Sequence, residues 1–207
     1  MKTILTIDCN ILMSPSLPFY QNHIGEFTSI GELLDPYSLL RFAPANLNVY
    51  EKLTNEVILP LLMQLPVEKI HFVYGQEDTI HFLDPNGENY LINIDYHGDT
   101  EPYDNVLNNT NWISYAFNKG LISQCIWLND IDSNLEETNG YPIDTSIGIE
   151  NAILELLPFP DEVIISISDE WILPQYKPLI TLWVNMIQTL TGKPIEYEEY
   201  QEERVIK

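Results

Sequence analysis

Leu91-Ile92-Asn93-Ile94-Asp95-Tyr96-His97-Gly98-Asp99 runs from a short apolar stretch straight into two carboxylates that flank an imidazole at alternate positions. The apolar part is too short for a helix and reads as a strand over residues 90 to 95. Asp84-Pro85-Asn86-Gly87 before it has the composition of a turn, and residues 79 to 83 on the far side of that turn suggest a partner strand. Similar runs recur along the chain. Residues 4 to 9, 69 to 74, 122 to 128 and 162 to 168 are β-rich, and helical spacing of apolar residues falls at 47 to 64, 111 to 118, 146 to 157 and 179 to 190. Pro60 is expected to kink the first of these helices, and Pro66 to stop it. Strands that alternate with helices predict an α/β three-layer sandwich with a mostly parallel central sheet. In such sheets, sites collect at the carboxyl ends of strands.

Three predicted strands end in acidic residues. Asp95, His97 and Asp99 follow one, Asp8 and Asn10 another, and Gly75-Gln76-Glu77-Asp78 a third. Carboxylates gathered at one edge repel one another unless a cation neutralises them. Mixed imidazole and carboxylate donors suit borderline divalent metals such as manganese, zinc or iron, and Gly98 lets the backbone turn sharply between ligands. Each acid could instead cap a strand end, and His97 could simply be hydrogen-bonded in a polar turn. The chain has no P-loop, no GxGxxG and no GxSxG.

Nine basic residues against 31 acidic ones give a formal net charge of −22, which disfavours nucleic-acid phosphate and anionic membranes as partners. A cationic partner is favoured, either a metal ion or an Arg- or Lys-containing substrate. Part of the charge lies in Glu196, Glu198, Glu199, Glu202 and Glu203, which read as an acidic tail over residues 195 to 207. The 207 residues suit a single domain, with a long irregular loop at 13 to 46 that holds a possible short helix at 29 to 34. No apolar run is long enough to span a bilayer, and the N-terminal stretch is too short for a signal peptide. Cys9 and Cys125 sit in apolar, strand-like surroundings and read as buried thiols. A cytoplasmic location is the expectation.

Asp95-Tyr96-His97-Gly98-Asp99 resembles the D-x-H-x-D signature of the arginase (ureohydrolase) family. Asn111-Trp112 opening a helix, Trp127 in the next strand, Asp8-Cys9-Asn10 near the start and Ser168-Asp169-Glu170-Trp171 late in the chain are similar to the branch that includes peptide arginases of ribosomal peptide biosynthesis. The chain departs from that pattern where Asn10 replaces the second Asp of D-x-D. It departs again where Asp78 (or Glu77, or His81) stands for the usual preceding His. The resemblance implies an arginase-like fold and two Mn2+ ions bridged by Asp95, with Asp8, Asn10, Asp78, His97 and Asp99 completing the shells. It also implies a carboxylate to pair with the guanidinium, either Glu170 as the catalytic choice or Asp169, with Asn111 also binding substrate.

The activity so implied is hydrolysis of arginine side chains in a precursor peptide to ornithine and urea. Two rivals remain open. One is an amidine or acetylamine hydrolase on the same fold. The other is a non-catalytic acidic binder, either a degenerate relative or a nucleic-acid mimic.

Overall fold

In the computed structural model, residues 1–9, 11, 54–103, 106–129, 133, 135–149, 159–167 and 177–198 are described. The expected long loop with its short helix, and the residues Asn10, Asp169 and Glu170, lie outside them. β1 (Thr3–Asp8), β2 (Ile70–Val73), β3 (Asn89–Ile94), β4 (Ile122–Leu128), β5 (Ile143–Asp144), β6 (Glu162–Ser166) and β7 (Ile195–Tyr197) form one sheet. The order is β5-β4-β3-β1-β6-β2-β7, and every pairing is parallel. α1 (Leu59–Gln64), α2 (Trp112–Asn118) and α3 (Lys177–Thr191) complete a three-layer α/β sandwich. None of the helices among the described residues is long and apolar enough to cross a membrane.

Side chains alternate between the two faces of each strand, so register assigns every residue to a layer. Leu5 pairs with Ile92 and Val163, and these three join Ile7, Phe72, Ile94 and Ile165 in a core with Leu61, Leu62, Trp183, Val184 and Ile187 of α1 and α3. On the opposite face Ile4, Leu91, Ile164, Val73 and Cys125 pack against Trp112, Ile113 and Ala116 of α2. The second face changes character along its length. Beyond Ile4 and Leu91 come the paired Thr6 and Asn93, then Asp8 beside Ser166, all buried.

Three expectations need correction. Residues 79 to 83 are not a strand, since Gln76–Phe82 is a 3-10 helix. The turn at Asp84 is real, with Asp84 Oδ1 accepting from the Asn86 N–H at 2.9 Å. A hairpin there has no edge to occupy, because β3 is paired on both sides by β1 and β4. Of the helix expected over 146 to 157, residues 146 to 148 are not helical, Ile149 is in a 3-10 turn, and residues 150 to 157 lie outside the described residues. Gly148 bridges Asn129, and the Ile149 N–H donates to Asn129 O at 2.8 Å, which holds Gly148 beside the end of β4. The acidic tail begins as ordered structure, with Ile195–Tyr197 closing one edge of the sheet against β2. Pro60, lacking an N–H for the carbonyl four residues earlier, stands just after a widened π turn over Thr54–Ile58.

Candidate functional site

Position in the topology singles out one crevice. The chain leaves β1 for β2 on one side, with α1 on one face. It leaves β3 for β4 on the other side, with α2 on the opposite face. Connections diverge between these adjacent strands, and in open α/β sheets ligands bind at such a switch point, outside the carboxyl ends. Asp8 ends β1 there and Asp95 follows β3.

The structure brings Asp8, Asp95 and Asp99 into one buried group. All three are almost inaccessible. The Asp99 and Asp95 side chains lie within hydrogen-bonding reach, a contact between two carboxyls that requires a shared proton or a cation. Burial first, then the charges of Asp95 and Asp8, push the Asp99 carboxyl well above the usual range, while the Trp112 indole opposes that rise. Asp95 Oδ1 accepts the His97 backbone N–H at 3.1 Å, whereas Asp95 Oδ2 is buried with no hydrogen-bond partner among the described residues.

The loop after β3 is held by residues on neighbouring elements. Trp112 Nε1 donates to Asp99 Oδ2 at 2.9 Å, and Trp127 Nε1 donates to Asp95 O at 2.9 Å. Asp99 has φ 48°, a left-handed conformation that costs most residues about 1 kcal/mol or more and that Asp tolerates better than most. The Ile113 N–H donates to Asp99 O at 3.2 Å and ties that turn to the start of α2. Gly98 passes so close to Glu137 that a Cβ would stand 2.7 Å from Glu137 O. Its N–H donates to Glu137 Oε2 at 3.1 Å, and the Thr100 hydroxyl donates to Glu137 O.

From this group a cavity of about 500 Å³ opens outward, lined by His97, Asp99, Glu101, Glu136, Glu137 and Asn139 among others. Four carboxylates line it, and among the described lining residues none is Lys or Arg. The sheet face that carries Asp8, together with the Gln76–Phe82 helix, holds further buried polar groups. Asn93 Oδ1 accepts from Thr6 Oγ1 at 2.5 Å and from Gln76 Nε2 at 2.9 Å. Gln76 Oε1, Asn93 Nδ2, Thr79 Oγ1 and Ser166 Oγ have no partner among the described residues. Each such group costs about 1–3 kcal/mol, and so many in one region call for an explanation beyond stability.

Two expected site residues have local structural contacts. Asp78 sits in the Gln76–Phe82 helix and accepts the Gly75 N–H at 3.5 Å, the geometry of a helix-start cap. Asn111 is buried, with Nδ2 on Val106 O at 2.9 Å and Oδ1 on the Asn108 N–H at 3.1 Å, so its amide braces its own loop rather than facing the cavity. Among the described residues, the three metal-type donors whose ligand atoms all lie within 4.8 Å of one another are His71, Glu196 and Glu198, not the Asp8, Asp95, His97 and Asp99 set. No family profile, curated protein or solved structure matches the chain.

Proposed function

We propose that this protein is a divalent-metal-dependent hydrolase of arginine guanidinium groups, acting on arginine residues of a precursor peptide. The observation that carries this reading is the buried Asp8–Asp95–Asp99 group at the switch point, opening through Asp99 and His97 into an acidic cavity. A divalent cation suits the donors in two respects. Asp95 Oδ2 is buried without a partner among the described residues, and a cation can take the place of the proton that the Asp95–Asp99 contact otherwise needs. The resemblance of the D-x-H-x-D stretch to arginases makes manganese the first metal to test.

When bound, such an ion acts as a Lewis acid and lowers the pKa of water to near neutrality. The chain's own residues do the rest. Asp8, Asp95 and Asp99 would hold the cation, with Trp112 fixing the direction of the Asp99 carboxylate. Glu101, Glu136 and Glu137 offer planar carboxylates to a planar guanidinium, a match that lysine cannot reproduce. Hydrolysis converts a guanidinium and one water to urea and the ammonium of ornithine, so a proton must reach the departing amine. His97, on the cavity wall, is the lining group best able to carry it.

A peptide substrate fits better than the free amino acid, whose carboxylate would meet four carboxylates and no Lys or Arg among the described lining residues. Two buried free thiols accord with a reducing, cytoplasmic setting. The observation favouring a binding-only relative is that three donors do not converge within 4.8 Å at Asp95. Mass spectrometry of an arginine-containing peptide incubated with protein and Mn2+ separates the two. Loss of CN2H2 from arginine, with little urea from free arginine, supports the proposal. No mass change across a panel of such peptides would leave the binding-only reading.

A further inference from the structure

Away from the crevice, near the opposite edge of the sheet, β2 places His71 on the α2 face, between Ile164 of β6 and Glu196 of β7. His71 is only 5% exposed, and its imidazole lies against the Phe82 ring, with centroids 4.6 Å apart. Its Nε2 meets Glu162 Oε2 at 3.0 Å and its Nδ1 meets Glu198 Oε1 at 3.2 Å. One ligand atom each from His71, Glu196 and Glu198 lie within 4.8 Å of one another.

The hydrogen bonding makes this more than a group of acids. A neutral imidazole carries one N–H. If Nε2–H is given to Glu162, the Nδ1 lone pair faces a carboxylate oxygen, and two acceptors at 3.2 Å require a proton or a cation between them. Metal-binding histidines characteristically hand their second ring N–H to a carboxylate, which fixes the tautomer and raises the basicity of the ligating nitrogen. Glu162 is placed for that role. Its other oxygen, Oε1, lies 3.4 Å from Lys2 Nζ.

We propose that His71 Nδ1, Glu196 and Glu198 form a second divalent-cation site, of the zinc type, with Glu162 as the supporting carboxylate. One nitrogen and two oxygen donors suit a borderline ion, and three protein ligands leave its fourth position to solvent. Binding joins β7 to β2 through side chains as well as the backbone. Lys69 Nζ, 2.6 Å from Glu196 Oε2, competes for one ligand and must be displaced. Where Nδ1 carries a proton beforehand, binding releases that proton to the buffer. This site does not depend on the activity proposed above.

The test is zinc binding to chelator-stripped Asp95→Ala protein, in which the crevice no longer competes. It is run by equilibrium dialysis with excess Mg2+ to mask diffuse binding, and repeated with Co2+ to follow visible absorption. One zinc should bind, with a cobalt spectrum to match. Glu198→Gln and His71→Gln, added to that background, should weaken binding at least tenfold, and Lys69→Gln should tighten it severalfold. Should His71→Gln fail to fold, the partly exposed Glu198 variant decides. Equal zinc affinity with and without Glu198→Gln would overturn the proposal, as would the absence of any bound zinc.

Discussion

Replacing Asp99 by Asn should make the metal-free protein more stable, although it removes an acid from the proposed centre. In the wild type Asp99 is buried beside Asp95 and near Asp8, and its carboxyl is held well above the usual range by burial and by those charges. A carboxyl whose folded pKa is raised favours the native state only while protonated. Below about pH 4 the folded and unfolded chains both carry the proton, and no penalty arises. As pH rises above the unfolded value, the unfolded chain releases the proton while the native state keeps it, so stability is lost progressively until the folded pKa is passed. Asn cannot ionise. Its Oδ1 can still accept from Trp112 Nε1, and its Nδ2 can donate to Asp95, which replaces repulsion by a hydrogen bond to a charged group worth about 2 kcal/mol. At about 2–4 °C per kcal/mol for a chain of this size, the midpoint should rise by about 4–8 °C.

The assay is thermal unfolding with chelator at a series of pH values from about 8 down to about 4. The gain should be largest at the alkaline end and fade on acidification. Millimolar Mn2+ should raise the wild type more than the variant, because ligand binding stabilises only the state that binds it. A variant less stable than wild type at alkaline pH, or a gain independent of pH, would refute the reasoning.

Gly98→Ala should cost about 1–3 kcal/mol in urea unfolding, since its Cβ meets Glu137 O at 2.7 Å and the Leu135–Thr138 turn must yield. A neutral outcome would mean that this turn is not packed against the metal loop. Glu137→Gln keeps an acceptor for the Gly98 N–H and removes one cavity charge. Steady-state kinetics on an arginine peptide should show KM raised about three- to fivefold, as expected for loss of about 0.5–1 kcal/mol of partly solvated pairing, with kcat little changed. Added salt should raise KM for the wild type more than for this variant.

Much of the architecture was legible because apolar runs and helical spacing have clear periods. Residues 4 to 8, 70 to 73, 122 to 128 and 162 to 166 were expected as strands and are strands, and the last helix was expected within two residues of Lys177–Thr191. Failures came where local pattern and tertiary pairing disagreed. Residues 79 to 83 look like a hairpin partner, yet β3 has no free edge. Glu196 and Glu198 look like a solvated tail, yet Ile195 supplies the apolar contact that docks the strand, and Lys69 and His71 receive the acids.

The site was legible in its carboxylates and obscure in its supports. Thr6 and Asp8 on one strand, with Asn93 on another and Asp95 just after it, place polar residues at alternate positions of apolar runs, a period-two signal that marks one face. Trp112 and Trp127 are buried in the core, and their indole N–H groups also hold Asp99 and the Asp95 carbonyl, a role that no local pattern announces. Glu101, Glu136 and Glu137 gave no signal beyond their charge, because only tertiary structure brings them to one cavity.

The central claim is that the buried carboxylates after β1 and β3 hold a divalent ion. Chelator-stripped protein titrated with Mn2+ in about 0.15 M salt, where diffuse attraction is largely screened, tests it through the decrease of the free Mn2+ EPR signal. The wild type should bind Mn2+ stoichiometrically, and a folded Asp95→Ala protein should lose that binding. Retention of the same manganese content in Asp95→Ala would contradict the account.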